Sequence, residues 1–310
     1  MTSEPVIGFV ILSYEGDGKL GRLVRALNRE YSDPPIVVHH DFSQSPIDER
    51  TFPSNVQFVK PSLRTSWGKW AVTAGALKAF DLLFHGTEAD WAFLLSAADY
   101  PVMRGAKVRE ELRDTPCDAF IDMRPVKIGT APIAKTVGRT SPRLVHFESA
   151  GNHEIRRRWT HSPQWWIPII RFRPRLRIGK WTFRPPFDGR HPYRPGFECF
   201  HGDHWFTANR RAVSALLNMD EQNARLCRHL RSRPLAEESY YATILASRAD
   251  LIVCLDNRRF TEWHGGGAHP MTLTEEQVPE MLGSGAFFAR KFPDDPRIFA
   301  AIDAALANPA

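Results

Sequence analysis

The sequence predicts an α/β fold in which a Rossmann-like, mostly parallel central sheet is flanked by helices. Three observations lead there. Short apolar runs at Val6 to Ser13, Ile36 to His40 and Trp91 to Leu95 lack a polar face, as strands covered by helices on both sides do. Helix-forming segments alternate with these runs in the β-α-β rhythm of a doubly wound sheet. The runs are followed by small residues or a carboxylate (Gly16-Asp17-Gly18, Asp41, and Ser96-Ala97-Ala98-Asp99), and open α/β sheets bind ligands outside the carboxyl ends of their strands.

In chain order, Val6 to Ser13 is the first strand and a helix follows from about Lys19 to Arg29. Ile36 to Asp41 and Val56 to Val59 are the next strands. No P-loop occurs here, and no nicotinamide or flavin dinucleotide is expected. Ser66-Trp67-Gly68-Lys69 opens a helix reaching about Phe84, with Trp70, Ala74, Leu77, Phe80 and Phe84 as its core face. Ser66 and Lys69 would then stand at a helix N-terminus, where unpaired N–H groups can hold an anion. Asp90 to Ser96 is the central strand, a helix follows near Lys107 to Leu112, and Ala119 to Met123 is a further strand. From Arg124 to Pro195 the periodicity gives way to Pro-, Arg- and Trp-rich sequence, as in an insertion or long functional loop. Regular structure resumes at Phe197 to Ala208, with helices near Arg211–Leu217 and Glu237–Ser247, a strand at Leu251–Leu255 and a last helix after Asp295.

At 310 residues, 43% hydrophobic and 11% aromatic, the chain can bury a full core. No apolar run reaches the roughly 18 residues of a membrane span, and no basic-then-apolar leader opens the chain, so a cytoplasmic location is expected. Cys117, Cys199, Cys227 and Cys254 are far apart and form no CxxC, so free thiols are expected rather than disulfides or a zinc site. The net charge of +6 is concentrated: residues 155 to 194 hold 11 of the 41 Lys/Arg residues and one acid, Asp188, while acids outnumber bases elsewhere. This argues for a local anionic partner and against a nucleic-acid-coated protein. Arg171-Phe-Arg-Pro-Arg-Leu-Arg177 could lie on anionic lipid, giving a peripheral contact with the inner membrane, or grip an acidic glycan or nucleic acid. It could equally be a solvated insertion whose Trp165, Trp166 and Trp181 cover the core. No nucleic-acid partner is expected.

Several words follow in order. They are Ser66-Trp67-Gly68, Leu95-Ser96-Ala97-Ala98-Asp99-Tyr100-Pro101, Gly202-Asp203-His204-Trp205-Phe206 and Ala236-Glu237-Glu238-Ser239-Tyr240-Tyr241-Ala242. Next comes Arg259-Phe260-Thr261-Glu262-Trp263-His264, which runs through three glycines to His269-Pro270, and last Phe287-Phe288-Ala289-Arg290-Lys291-Phe292. Together these resemble the core-2/I-branching enzymes, glycosyltransferase family 14, which includes β-1,6-N-acetylglucosaminyltransferases and peptide O-xylosyltransferases. The resemblance runs from about Phe9 to Phe292 and is that of a soluble, bacterial-type member. Ser-Ala-Ala-Asp-Tyr-Pro is closest to the xylosyltransferase branch; residues 124 to 195, which in this family help choose the acceptor, match poorly.

The resemblance implies a GT-A fold and inverting transfer of GlcNAc or xylose from a UDP-sugar to a glycan, lipid-linked or peptide hydroxyl. It divides one domain, 1–310, into a nucleotide-binding half (1–123), the basic insertion (124–195) and an acceptor and catalytic half (196–310). The reaction needs a base for the acceptor hydroxyl and a cation for the departing diphosphate. The family's base falls on Glu238, with Glu237 beside it on the acceptor side; read as residues alone, both are first-turn acids that favour the helix dipole. Many GT-A enzymes hold a metal on Asp-x-Asp, which this sequence lacks, so neither metal nor cofactor is expected. The family's diphosphate-binding lysine falls on Lys291, and Arg290 is a substitute for its arginine; alone, the two read as a solvated pair at a bend.

On the uridine side the resemblance gives Asp41, Asp99 and Val10, whose plain readings are strand-end turn acids and a core valine. Arg158, in His153-Glu-Ile-Arg-Arg-Arg-Trp159, resembles an acceptor-binding basic word, and Trp263 either stacks on a sugar or fills the core. His201 with His204, and His264 with His269, could serve as metal ligands, but no HExxH helix or completing acid accompanies them. The rival from another class is a non-catalytic protein that keeps the fold and binds glycans or an anionic membrane surface. The presence of Glu238 favours the enzyme.

Overall fold

Alternation within single strands explains why the central sheet is covered on both faces. In β1 (Ile7–Ser13), Ile7, Phe9 and Ile11 enter one apolar cluster and Val10 enters another on the opposite face. β2 (Ile36–His40) divides Ile36 and Val38 from Val37 in the same way, and β4 (Trp91–Ser96) divides Trp91, Phe93 and Leu95 from Ala92 and Leu94. The structure, a computed structural model, describes residues 4–126, 176–178, 181–183, 192–231, 233, 235–263 and 270–308.

The first half runs β1, α1 (Asp17–Tyr31), β2, β3 (Val56–Phe58), α2 (Trp70–Gly86), β4, β5 (Tyr100–Pro101), α3 (Gly105–Asp114), β6 (Ala119–Phe120) and β7 (Met123–Pro125). A two-stranded ribbon follows, β8 (Leu176–Ile178) against β9 (Trp181–Phe183). Then come β10 (Phe200–Gly202), β11 (Thr207–Asn209), α4 (Arg210–Leu217), α5 (Glu221–Leu230), α6 (Ala236–Ala246), β12 (Val253–Cys254), β13 (Arg259–Thr261), α7 (Val278–Gly283), β14 (Phe288–Arg290) and α8 (Pro296–Ala307).

Seven strands form the central sheet in the order β12-β6-β11-β4-β1-β2-β3. It is parallel except for β11, which runs against both β4 and β6. The chain winds outward from β1 to β3, then returns to β4 on the other side of β1. The switch point therefore lies between β4 and β1, where open α/β sheets open a crevice at the strands' carboxyl ends. Residues of α2, α4 and α6 fill the cluster on one face, and residues of α1 and α3 fill that on the other.

A second sheet, in the order β13-β14-β5, gathers three words that are remote in sequence. Ala289 of β14 pairs with Tyr100 of β5, and Phe260 of β13 with Ala289. Phe287 and Phe288 stand with ring centroids 5.8 and 5.3 Å from that of Phe93, so the side sheet is packed onto the central strand.

Local chemistry sets the helix ends. The side chains of Asn209, Asp220 and Asp295 each accept a hydrogen bond from the first turn of α4, α5 and α8. Four expectations need correction. The second helix starts at Trp70 and not Ser66, because Gly68 sits at φ +68° in a turn. The strand expected over 119–123 is split into β6 and β7. Helix α5 had no predicted counterpart. Finally, Cys117 and Cys254 form a disulfide with Cα atoms 5.9 Å apart, brought together by the parallel pairing of β6 and β12, while Cys199 and Cys227 are free and buried. Among the described residues no helix is long and apolar enough to cross a membrane.

Candidate active site

Three acids at element ends lead into the site, and their surroundings differ. Asp41 follows β2, and its carboxylate accepts hydrogen bonds from the backbone N–H and hydroxyl of Ser43, the amide of Gln44, and the N–H and hydroxyl of Thr65. Burial opposes its charge, but the bonds from Gln44, Ser43 and Thr65 outweigh that and hold its pKa far below the usual carboxylate range. Next to it, His40 bridges Ser13 at the end of β1 (3.1 Å) and the Ser45 carbonyl (2.7 Å). The ends of β1 and β2 are thereby tied to the loop that reaches Thr65.

Asp99 follows β4 at the switch point. It accepts from the Ser96 N–H (2.9 Å) and hydroxyl (3.1 Å), which closes the strand-end turn. Its Oδ1 also lies 3.1 Å from Nε of Arg290. The pairing of β14 with β5 produces this contact: with Ala289 opposite Tyr100, the next antiparallel step brings Arg290 to Asp99. The Arg290 guanidinium lies 4.2 Å from the ring centroid of Trp205. Lys291 extends one residue further. Burial lowers its pKa first and Arg290 adds to this, while Glu15 and Asp99 pull the other way. Lys19, which pairs with Glu15 at 2.5 Å, brings a third cation to this edge.

The third acid opens α6. Leu235, the residue before the helix, has φ +55° and donates its N–H to the Gly68 carbonyl at 2.9 Å. A Cβ on Gly68 would stand 3.3 Å from Leu235 Cδ2, at a φ that favours glycine. The Ser66-Trp67-Gly68 turn thus braces the start of α6. Successive helical side chains diverge by about 100°, and here Glu237 is buried next to Tyr241, whereas Glu238 points toward β10. Oε2 of Glu238 lies 3.5 Å from Nδ1 of His201. Strand β10 comes this close because Gly202 has no side chain: a Cβ there would stand 2.5 Å from the Asp122 carbonyl oxygen and 3.1 Å from Cβ of Ala242.

The residues after β10 connect the two sides. Asp203 accepts from the buried Asn257 amide. The ring of His204 lies 4.4 Å from Trp205 and 5.7 Å from Tyr241. Burial, helped by the Arg290 charge, pushes its pKa down to about 3, so it is a neutral ring in this stack. One short stretch, His201 to Trp205, therefore touches both the base candidate and the platform beneath Arg290.

The structure brings Asp99, Arg290 and Lys291 together and sets Glu238 beside His201. Val10 is not at the crevice; it is fully buried in the core. Asp41 is buried and bonded to the loop it organises. Trp263 is half-buried just beyond β13, while His264 and His269 lie outside the described residues. So do Arg158 and Arg171 to Arg175 of the basic run. Sequence reasoning missed the partnership of His201 with Glu238, the platform role of Trp205, and Arg259. That last residue is buried between Phe93 and Phe288, each ring centroid 5.3 Å away, and donates to Phe206 and Thr207. His201 carried a signal in adjoining Gly202; the other two depend on sheet pairing that no local pattern encodes. Among the described residues no three His, Cys, Asp or Glu side chains are grouped as metal ligands.

A family model described as Branch: Core-2/I-Branching enzyme matches residues 7–286. No curated protein matches the chain. The matched span includes Glu238 and stops just short of Phe287, so it does not include Arg290 and Lys291.

Proposed function

The chain belongs to the core-2/I-branching enzyme family and is a glycosyltransferase of that type; on that premise we propose that it transfers GlcNAc or xylose from a UDP-sugar to an acceptor hydroxyl with inversion and without a metal. The observation that carries the reading is the placement of Glu238 on the first turn of α6, facing His201, while the adjacent Glu237 is turned into the helix packing. In the reaction, the acceptor oxygen attacks the anomeric carbon from the face opposite UDP, and its proton passes to a Glu238 carboxylate oxygen. The bond from that carbon to the diphosphate breaks, and its electron pair leaves with UDP. Lys291 takes up the developing charge, and Arg290, held by Asp99 and Trp205, supports it.

In this reading residues 1–310 act as one domain. Asp41 serves the uridine side by fixing the Thr65 and Gln44 loop, and Val10 supports β1 from within the core. Trp263 serves the acceptor side, where a glycan, a lipid-linked sugar or a peptide hydroxyl would dock; Glu237, buried against Tyr241, supports that side from within the helix packing, and the acceptor role of Arg158 rests on sequence resemblance alone. The metal-free assignment rests on the sequence having no Asp-x-Asp. Contact of the basic segment with an anionic membrane rests on its composition. The Cys117–Cys254 disulfide favours an oxidising compartment over the cytoplasm.

The test is UDP release across a panel of UDP-sugars, with and without EDTA. Release from UDP-GlcNAc or UDP-xylose, undiminished by the chelator, is expected. Activity lost to EDTA and restored by manganese would overturn the metal-free part. No release from any donor, with or without candidate acceptors, would overturn the transferase reading of this site.

A further inference from the structure

We infer that His201 is the positioning residue of the catalytic base, its Nδ1–H holding one carboxylate oxygen of Glu238 so that the other meets the acceptor hydroxyl. The inference rests on the reading of Glu238 as the base and adds to it a residue from a different element.

The geometry follows from how β10 lies on α6. Glu238 and Ala242 are one turn apart and share a helix face. Gly202 packs against Ala242, with its missing Cβ only 3.1 Å from the alanine's. The preceding residue of the strand must then lie beside the preceding turn of the helix, which is where Glu238 stands. His201 is fixed there: it is 1% exposed, and its strand pairs with β7 in a register that puts Arg124 opposite it. The Nδ1 to Oε2 distance of 3.5 Å exceeds that of a mature hydrogen bond. Catalytic hydrogen bonds are often this long before substrate binds and shorten in the reacting complex. His204 is no substitute, because it is stacked among Trp205 and Tyr241.

A glutamate on the first turn of a helix has three rotatable side-chain bonds. A buried imidazole beside one of its oxygens restricts that freedom. Because the same stretch carries Trp205 beneath Arg290, the base and the arginine that supports the leaving-group site are set by one segment.

A double-mutant cycle tests this with the full-length enzyme. It compares parent, His201→Ala, Glu238→Gln and the double variant, reading kcat, donor KM and UDP affinity. His201→Ala should lower kcat by about 10- to 100-fold, the scale at which misplacing a reacting group by about 1 Å is felt, and leave donor KM unchanged. In the Glu238→Gln background it should cost no more than about threefold, because no base remains to be positioned. His201→Asn, whose amide reaches the Nδ1 position, should recover most of the rate, and His201→Gln should not. Multiplicative losses in the cycle, or equal activity of the Asn and Gln variants, would overturn the inference. The Asn and Gln pair keeps the test decisive if His201→Ala does not fold. Near-parental turnover by Glu238→Gln alone would overturn the base assignment itself, and that arm is read independently of His201.

Discussion

Asp41 and Glu238 look alike in the sequence, each an acid at an element boundary, one closing a strand and one opening a helix. In the structure their surroundings diverge. Asp41 is surrounded by donors from its own neighbourhood, Ser43, Gln44 and Thr65, and its charge is stabilised where it stands. Glu238 faces the imidazole of a residue 37 positions earlier in the chain, carried by another element. A carboxylate saturated by local donors has little basicity left to offer a substrate; it holds structure. The difference teaches that an element-end acid is assigned a role by which groups face its lone pairs, and those groups come from the next few residues and Thr65 at Asp41 but from another element at Glu238.

The largest effect that could break this comparison is on stability at Asp41. Asp41→Ala leaves the Thr65 and Ser43 donors without their partner, which should lower unfolding stability by about 3 kcal/mol. Glu238→Gln should change stability by well under 1 kcal/mol, as expected for one first-turn charge. Urea unfolding of both at pH 7 checks this. An Asp41→Ala midpoint equal to the parent's would remove the structural role given to that acid. Since its folded pKa lies below the unfolded value of about 4, the stability it contributes is present above pH 4 and is lost as pH falls below that.

A smaller effect sharpens the comparison on the other side of the site. His204 has a folded pKa of about 3, below its unfolded value, so the unfolded chain binds the extra proton first as pH falls. Its contribution is intact above roughly pH 6.5 and declines toward pH 3, by at most about 1.4 kcal/mol per pH unit. His204→Phe keeps a ring between Trp205 and Tyr241 and removes the titration. Its stability, followed by urea unfolding from pH 7 to pH 4, should fall less steeply than the parent's. Identical slopes would mean that the imidazole is not held neutral there.

Much of the fold was legible in the sequence. The continuous apolar runs gave β1, β2 and β4, because strands covered on both faces cannot alternate with polar residues, and Leu77, Phe80 and Phe84 marked the buried face of α2. Helix α5 went unread although Asp220 caps it and Glu221 opens it. The side sheet β13-β14-β5 was illegible because strands of two or three residues have too little length to show a period. For the same reason Asp99 and Arg290 could be named separately but not paired: the contact depends on the register of β14 against β5, about 190 residues apart in the chain. The disulfide escaped for a related cause, since Cys117 and Cys254 meet only once β12 joins β6 at the sheet edge. Gly68 and Gly202 are the exceptions, glycines whose local necessity could be suspected and whose neighbours, Leu235 and Ala242, explain why the words containing them occur together.

The central claim is that Glu238 takes the acceptor proton while Glu237, one residue away, does not. The most direct measurement is the turnover of Glu238→Gln and Glu237→Gln on the donor and acceptor found active, with UDP affinity of both variants followed by calorimetry. The amide keeps the shape of the side chain and removes its ability to accept a proton. The account predicts that Glu238→Gln binds UDP like the parent and loses about 100-fold or more in kcat, the usual scale of general-base catalysis, while Glu237→Gln loses far less. Near-parental turnover by Glu238→Gln, or the larger loss in Glu237→Gln, would contradict it.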